Sequence, residues 1–240
     1  MSSGVYAVLT GAVGKMQTLD VVANNLSNIN TAGFKKERIN FSSLLDDATQ
    51  TGRAQGLNYT YIPETKTDYT QGMMQTTQND YDVAINGDGF FKVQRGEDIL
   101  YTRLGNFKRA TDGTLVTRSG EQVLSADSKT INVPEGPIGI DDRGVILSNA
   151  GEVGQIGVFD PDVNLLKKQG GSQFVYGGDE QAVPASAEAQ LFQRRLEQSN
   201  VGSMQETTIM MTSMRAFESY QKAMKNYFTI ESKADEIGSL

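Results

Sequence analysis

Cysteine, histidine and tryptophan are all missing from the 240 residues. Without cysteine there can be no disulfide, no thiolate nucleophile and no sulfur ligand for zinc. Without histidine the commonest general base and metal ligand is gone. Neither absence fixes a compartment. The apolar share is only 38%, low for one compact globule, so the core is expected to be split, with helix surface left for neighbours. No run approaches the ~18 apolar residues of a membrane span, and no membrane insertion is expected. Positive charge is thin, with 22 Lys and Arg against 29 Asp and Glu and a formal net charge of -7. That balance argues against nucleic acid, which is held by clustered Lys and Arg. No Lys or Arg precedes Lys15, so the start lacks the basic region of a cleaved signal peptide. The expectation is a chain that stays in solution or is exported without a cleaved signal.

What is present is concentrated at the two ends. Val5, Leu9, Ala12, Met16, Leu19, Ala23 and Leu26 alternate at intervals of four and three, the a/d spacing of a coiled-coil seam, and predict a helix over 5–26. Toward the other end two seams interleave. Met210, Met214, Phe217, Met224 and Phe228 share one frame, with Gln221 as its polar member. Ala216, Tyr220, Ala223, Tyr227, Ile230, Ala234 and Ile237 share the other. Such a face is wider than one partner helix covers. Ser2 or Ser3 suits the first N-cap, and Ser203-Met204-Gln205-Glu206 has the form of a capping box. Gly4, Gly11 and Gly14 each cost about 1 kcal/mol relative to Ala inside a helix. They mark a loosely stable helix, a close approach of neighbouring helices, or both. The Met-rich run (Met204, Met210, Met211, Met214, Met224) fits either core filling or an adaptable surface. The polar face of this second helix mixes signs, with Glu206, Arg215, Glu218, Lys222, Lys225, Glu231 and Lys233. It lacks the cationic excess of a membrane-surface helix.

Between the ends the period changes. Residues 36–80 read as an extended connector, with a short helical turn at Phe41, Leu44 and Leu45 and a strand near 59–62. From Asp82 the pattern is that of strands. Asn86-Gly87 between apolar arms predicts a hairpin over 83–93, and Asp112-Gly113 predicts another. Strands are expected at 99–103, 106–109, 114–117, 122–124, 130–133, 138–140, 145–147, 155–159, 173–176 and 189–196. The fold class is therefore α+β, with N- and C-terminal helices pairing as a coiled-coil-like antiparallel hairpin and a central antiparallel β domain inserted between them. The expected parts are 1–35, 36–80, 81–196 and 197–240. Apolar surface left over on the helix pair would pack against other subunits, and head-to-tail contacts that do not close generate a helical tube.

Candidate catalytic carboxylates are Asp46-Asp47, Asp141-Asp142, and Asp160 and Asp162 around Pro161. A glycosidase needs two carboxylates facing one bond, but adjacent acids in Gly-rich turns are far more often solvated loop residues. A cell-wall glycan hydrolase is the remote alternative. Asp82, Asn86 and Asp88 lack the spacing of a calcium loop, and no phosphate loop or nucleophile elbow is present. No catalytic residue, cofactor site or metal site is expected.

Ala23-Asn24-Asn25-Leu26-Ser27-Asn28-Ile29-Asn30-Thr31-Ala32-Gly33-Phe34-Lys35 resembles the N-terminal signature of the flagellar rod and hook proteins, with Ser27 where that family usually has Ala. Asp82-Val83-Ala84-Ile85-Asn86-Gly87-x-Gly89-Phe90-Phe91 and Tyr101-Thr102-Arg103-x-Gly105-x-Phe107 resemble the start of its central β domain. Ser199-Asn200-Val201, leading to Arg215-Ala216-Phe217-Glu218, resembles its C-terminal pattern, with Gly202 where Asp or Asn is usual. Only 36–70 and 160–190 lack clear motifs. The resemblance implies a structural subunit of the basal-body rod that polymerises with copies of itself and other rod proteins into the torque-transmitting shaft. It also implies export by the flagellar type III apparatus and a place in the periplasm-spanning rod. The shorter chain and the opening Gly4-Val5-Tyr6 favour a proximal over a distal rod component. A distal rod protein or another axial or hook component is the alternative. Termini that order only on assembly are expected for the free subunit.

Overall fold

A computed structural model describes residues 3–40, 42–44, 59–61, 65–149, 151–186 and 188–238. It divides into two compact units, one made of Met1–Ser27, Lys36–Asp68 and Val201–Leu240, the other of Asn28–Lys35 and Tyr69–Asn200.

The first unit holds two long helices, α1 (Ser3–Ser27) and α2 (Ser203–Gly238). They run antiparallel. Asn25 near the end of α1 meets Glu206 at the start of α2, and Gly11 faces the ring of Tyr220. A Cβ added to Gly11 would lie 2.7 Å from Tyr220 Cζ. The loss of helix propensity at Gly11 is thus matched by close packing of α2. The capping box does not form. The first helical bond of α2 runs from Glu206 N to Gly202 O at 3.0 Å, which makes Gly202 the cap. The Glu206 carboxylate turns instead to the side-chain amide of Asn25. Among the described residues, no helix is long and apolar enough to cross a membrane.

Also in this unit, Glu37–Ile39 pairs antiparallel with Thr65–Thr67, and Ser42–Leu44 with Tyr59–Tyr61. The strand expected near 59–62 is present. The helical turn expected around Leu44 is a strand, because the Tyr-Thr-Tyr segment, rich in strand-forming side chains, supplies it with a partner. Phe41 and Leu45 lie outside the described residues.

The second unit is built on a sheet in the order Leu166–Gly170, Gln173–Tyr176, Asp98–Thr102, Phe90–Arg95, Gln122–Val123, Leu115–Thr117 and Phe107–Arg109, with Val158–Phe159 also paired to Phe90–Arg95. Side chains alternate across it. Phe91, Val93 and Leu100 enter one core with Val83, Ile85 and Phe107. Phe90 and Tyr101 enter the other with Phe159, Leu166 and Phe174. Both faces are covered, which is why these strands read as apolar runs rather than strict alternation.

Three expectations need correction. Asn86-Gly87 does not close a hairpin. Val83–Asn86 pairs with Gln190–Gln193, and Phe90–Arg95 with Asp98–Thr102. Gly87 and Gly89 both have positive φ, 99° and 125°, and this tight corner sends the two arms to different partners. Residues 130–133 form isolated bridges to Leu124 and Thr114 rather than a strand. The expected strand 189–196 breaks at Arg194, whose φ is 58°. Its second half, Arg195–Glu197, pairs with Met74–Thr76. The Asp112-Gly113 turn is present, with Asp112 Oδ1 accepting from Thr114 N at 3.0 Å and antiparallel strands on either side.

One carboxylate in this sheet gives a pH dependence. Burial pushes the Glu121 carboxyl up, but hydrogen bonds from Thr117, Arg95 and Gln173 outweigh it and hold the pKa at about 2, below the ordinary 4.5. A depressed folded-state pKa stabilises the fold fully above the unfolded value. That stabilisation is lost as pH falls from about 4.5 toward 2. Melting curves of Glu121→Gln are expected to lie below those of the parent at pH 7 and to converge on them near pH 2. Parallel pH profiles would refute the assignment.

Candidate assembly interface

Small and polar side chains are prominent among the buried residues of the two helices, beside the Tyr220 ring that packs on Gly11. On α1, Ala12, Val22 and Asn25 are buried, as are Ser213 and Glu206 on α2. Several large apolar side chains point elsewhere. Leu9 is 45% exposed, Met16 51%, Phe228 55% and Ile230 66%. Tyr6, Val13, Met204, Met211 and Met214 are exposed as well. Of the seam expected on α1, Ala12 is buried, Val5, Leu19 and Leu26 are half-buried, and Leu9, Met16 and Ala23 are exposed. On α2, Met210, Phe217, Tyr220, Met224 and Tyr227 are half-buried, while Met214, Phe228 and Ile230 are exposed. A helix pair normally hides its apolar stripe and shows its polar one; this pair does much of the reverse. Contiguous exposed apolar surface marks an interaction site, and burying each such side chain fully is worth about 1.5–3 kcal/mol.

The Asn-rich motif anchors the helix rather than merely ending it. The Asn25 amide straddles the backbone of Glu37, donating to its carbonyl at 2.9 Å and accepting from its N–H at 3.0 Å, and also donates to Glu206 Oε2 at 3.3 Å. Asn25 is 1% exposed, so each of these bonds replaces water. Asn25→Ala is expected to cost about 1–3 kcal/mol by orphaning the Glu37 groups, read as a lower urea midpoint of the helical signal. An unchanged midpoint would show that the amide is dispensable. After Asn24, whose carbonyl accepts from Ser27 Oγ, the chain turns through Asn28 and Thr31. Thr31 N donates to Asn28 O at 3.1 Å and Phe34 N to Thr31 O at 3.3 Å. Arg215 and Glu218 lie exposed on α2, and Phe217 is half-buried.

In the second unit the remaining motifs converge. Lys35 and Lys36 both find acidic partners. Lys35 is buried against Glu197 at 2.7 Å, with side-chain exposures of 0% and 1%, whereas Lys36, in the first unit, pairs with Asp68 at 3.6 Å. Glu197 Oε1 also accepts from Gly72 N, and Lys35 donates to Thr70 O. Arg103, from the Tyr-Thr-Arg motif, reaches Glu197 Oε2 at 3.4 Å and donates to Gly87 O at 2.9 Å. Burial lowers the pKa of Arg103, and Glu197 and Asp88 oppose that effect. Gly33, at φ 64°, lies so close to the Arg103–Leu104 peptide that an added Cβ would be 2.7 Å away. Gly33 N donates to Glu197 O at 2.8 Å. Asn200 donates to Thr70 O, Lys168 sits 4.0 Å over the Phe34 ring, and Val201 is buried while Ser199 is half-buried. Sequence reading passed over Lys35, Arg103 and Glu197 as a group. The available signal was a lone acid just ahead of Ser199-Asn200-Val201 in a strand otherwise bound for the core.

Of the carboxylates weighed as catalytic, Asp141 and Asp162 act as turn caps. Asp141 accepts from Arg143 N and Val145 N, and Asp162 from Asn164 N, while Asp82, weighed above as a calcium ligand, accepts from Asn79. Asp142 and Asp160 are exposed. Asp46 and Asp47 lie outside the described residues.

Three family models match the chain. Residues 16–35 match "Flagella basal body rod protein", 84–154 match "Flagellar hook protein FlgE/F/G D1 domain", and 193–237 match "Flagellar basal body rod FlgEFG protein C-terminal". The chain is 34% identical over 244 residues to the flagellar basal-body rod protein FlgF of Caulobacter vibrioides, with 98% of each chain covered. It is 31% identical to FlgG of Bacillus subtilis, covering 92% of this chain and 94% of that one. To FlgF of Mesorhizobium japonicum it is 28% identical, with 100% and 98% covered.

Proposed function

The chain belongs to the flagellar basal-body rod proteins, and from that premise we propose that it is a proximal, FlgF-like subunit that joins the shaft through the outward faces of α1 and α2. The family places it in the flagellar basal body as a structural subunit that assembles with other rod proteins. The outward-face contact rests on one observation: Leu9, Met16, Met214, Phe228 and Ile230 stand exposed while the helices meet through Gly11 with Tyr220 and Asn25 with Glu206. In the rod, the expected seams Val5–Leu26 and Met210–Ile230 would be completed by coiled-coil packing between subunits as well as within one. Export through the flagellar type III apparatus belongs to the same reading. So does a mechanical role without catalysis, cofactor, nucleic acid or membrane insertion.

Electron cryotomography of cells lacking the chain tests it. Rings without a rod or hook are expected. A completed hook would overturn the rod assignment to this position, and a rod stub ending beyond the proximal segment would make the subunit distal.

A further inference from the structure

Among the apolar side chains of the second core stands a lysine. Lys92 and Tyr101 lie directly opposite each other where Phe90–Arg95 pairs with Asp98–Thr102, so their side chains share one face of the sheet. The Lys92 side chain is 5% exposed and Tyr101 is fully buried. The ammonium is 5.1 Å from the centre of the Phe159 ring and 5.8 Å from that of Tyr101, contacts that attract a cation without neutralising it. Its charge is met by Glu180, whose Oε2 is 3.2 Å from Lys92 Nζ and accepts from Tyr101 Oη at 2.7 Å. Burial first, and then this carboxylate, push the Tyr101 pKa up, so the phenol remains a donor.

Glu180 arrives on a segment that is tied mainly at its ends. Gly177 N donates to Leu165 O at 2.9 Å on one side. On the other, Asp160 N donates to Pro184 O at 3.0 Å and Ser186 N to Val158 O at 2.9 Å. Between these ties Gly178, Asp179, Gln181 and Ala182 are exposed, and Gln181 N and Ala182 N both donate to Asp179 within the same turn. Glu180 and Val183 are half-buried, Val183 against the second core. The Glu180 side chain keeps 30% of its surface in water. The cation and the phenol thus stand on paired core strands, while the acid they hold stands on an exposed turn.

We propose that Lys92 and Tyr101 form a carboxylate-binding site, which residues 178–183 close as a detachable strap by supplying Glu180 as the ligand. A buried ammonium is costly to leave unpaired, so when the strap lifts the site takes a carboxylate in place of Glu180. Lys92 supplies the charge, Tyr101 one directed hydrogen bond, and Phe159 apolar contact for a short alkyl chain. That set suits an alkyl monocarboxylate. The site lies wholly within the second unit and uses neither long helix, so it stands or falls separately from the rod assignment.

Glu180→Ala empties the site, and the purified full chain reports the result. Its melting temperature is expected to fall by roughly 5 °C and to recover most of that loss as sodium propionate is added. Propionamide, and sodium chloride at equal ionic strength, should restore none of it. Glu180→Ala combined with Lys92→Met should not respond to propionate. No recovery in propionate, equal recovery in chloride, or the same recovery without Lys92 would overturn the proposal. If Glu180→Ala is obtained unfolded, refolding in propionate against chloride reads the same site, and refolding in neither overturns it. In the parent chain, reductive methylation of Lys92 by formaldehyde and borohydride reports the strap. Its rate should be nearly flat in low urea, as for a local opening. A rise as steep as that of global unfolding would contradict a detachable strap.

Discussion

Glu197→Gln is expected to destabilise the chain by about 3–5 kcal/mol, because it strips the charge from the one acid that faces two buried cations. Lys35 and Arg103 both reach that carboxylate, and all three side chains are at most 3% exposed. Lys35→Met should cost less, about 1–2 kcal/mol. It removes the bonds to Glu197 and Thr70 but leaves a balanced Arg103–Glu197 pair behind. The ordering is the informative part. The charge argument puts the loss of the acid well above the loss of one base. Urea unfolding followed by tyrosine fluorescence reads both, and the melting temperature of Glu197→Gln should fall by roughly 10 °C or more. Equal midpoints for the two variants would show that the cluster is held by shape rather than by charge.

The second large effect concerns assembly and should leave the free chain nearly untouched. Leu9→Glu together with Met16→Glu places two carboxylates on the outward stripe of α1. Both positions are about half exposed in the single chain, so stability should change by no more than about 0.5 kcal/mol per site. Circular dichroism and melting should therefore match the parent. In the rod each carboxylate would have to leave water without a partner, at a cost of several kcal/mol. Incorporation into basal bodies and swimming should be lost. A swimming strain whose rods contain the double variant would show that this stripe stays solvent-facing after assembly.

These two predictions draw on different parts of what the sequence made legible. The helices were readable because heptad spacing is a local signal repeated many times, and Ser3–Ser27 and Ser203–Gly238 follow it closely. Several strands were readable too. Ile138–Ile140 and Gln173–Tyr176 match the expected ranges, and Asp112-Gly113 makes its turn. Pairing was not readable. Asn86-Gly87 carries the local signal of a hairpin, yet Val83–Asn86 takes its partner from residues 190–193, more than a hundred positions away. The buried cluster of Lys35, Arg103 and Glu197 was hidden for the same reason, since its members come from three distant segments. Heptad spacing also marks apolar stripes without telling which stripe faces the partner helix. Close packing of Gly11 against Tyr220 settled that for the single chain, and it sent Leu9 and Met16 outward.

The most direct measurement of whether other subunits cover that outward stripe is the labelling rate of a single cysteine in an otherwise cysteine-free chain. Met16→Cys should react rapidly with a maleimide in the purified subunit and at least a hundredfold more slowly in isolated basal bodies. Ser213→Cys, on the face shared by α1 and α2, should be slow in both. A cysteine at position 16 that labels equally fast in the assembled rod, or that is already shielded in the free chain, would contradict the account.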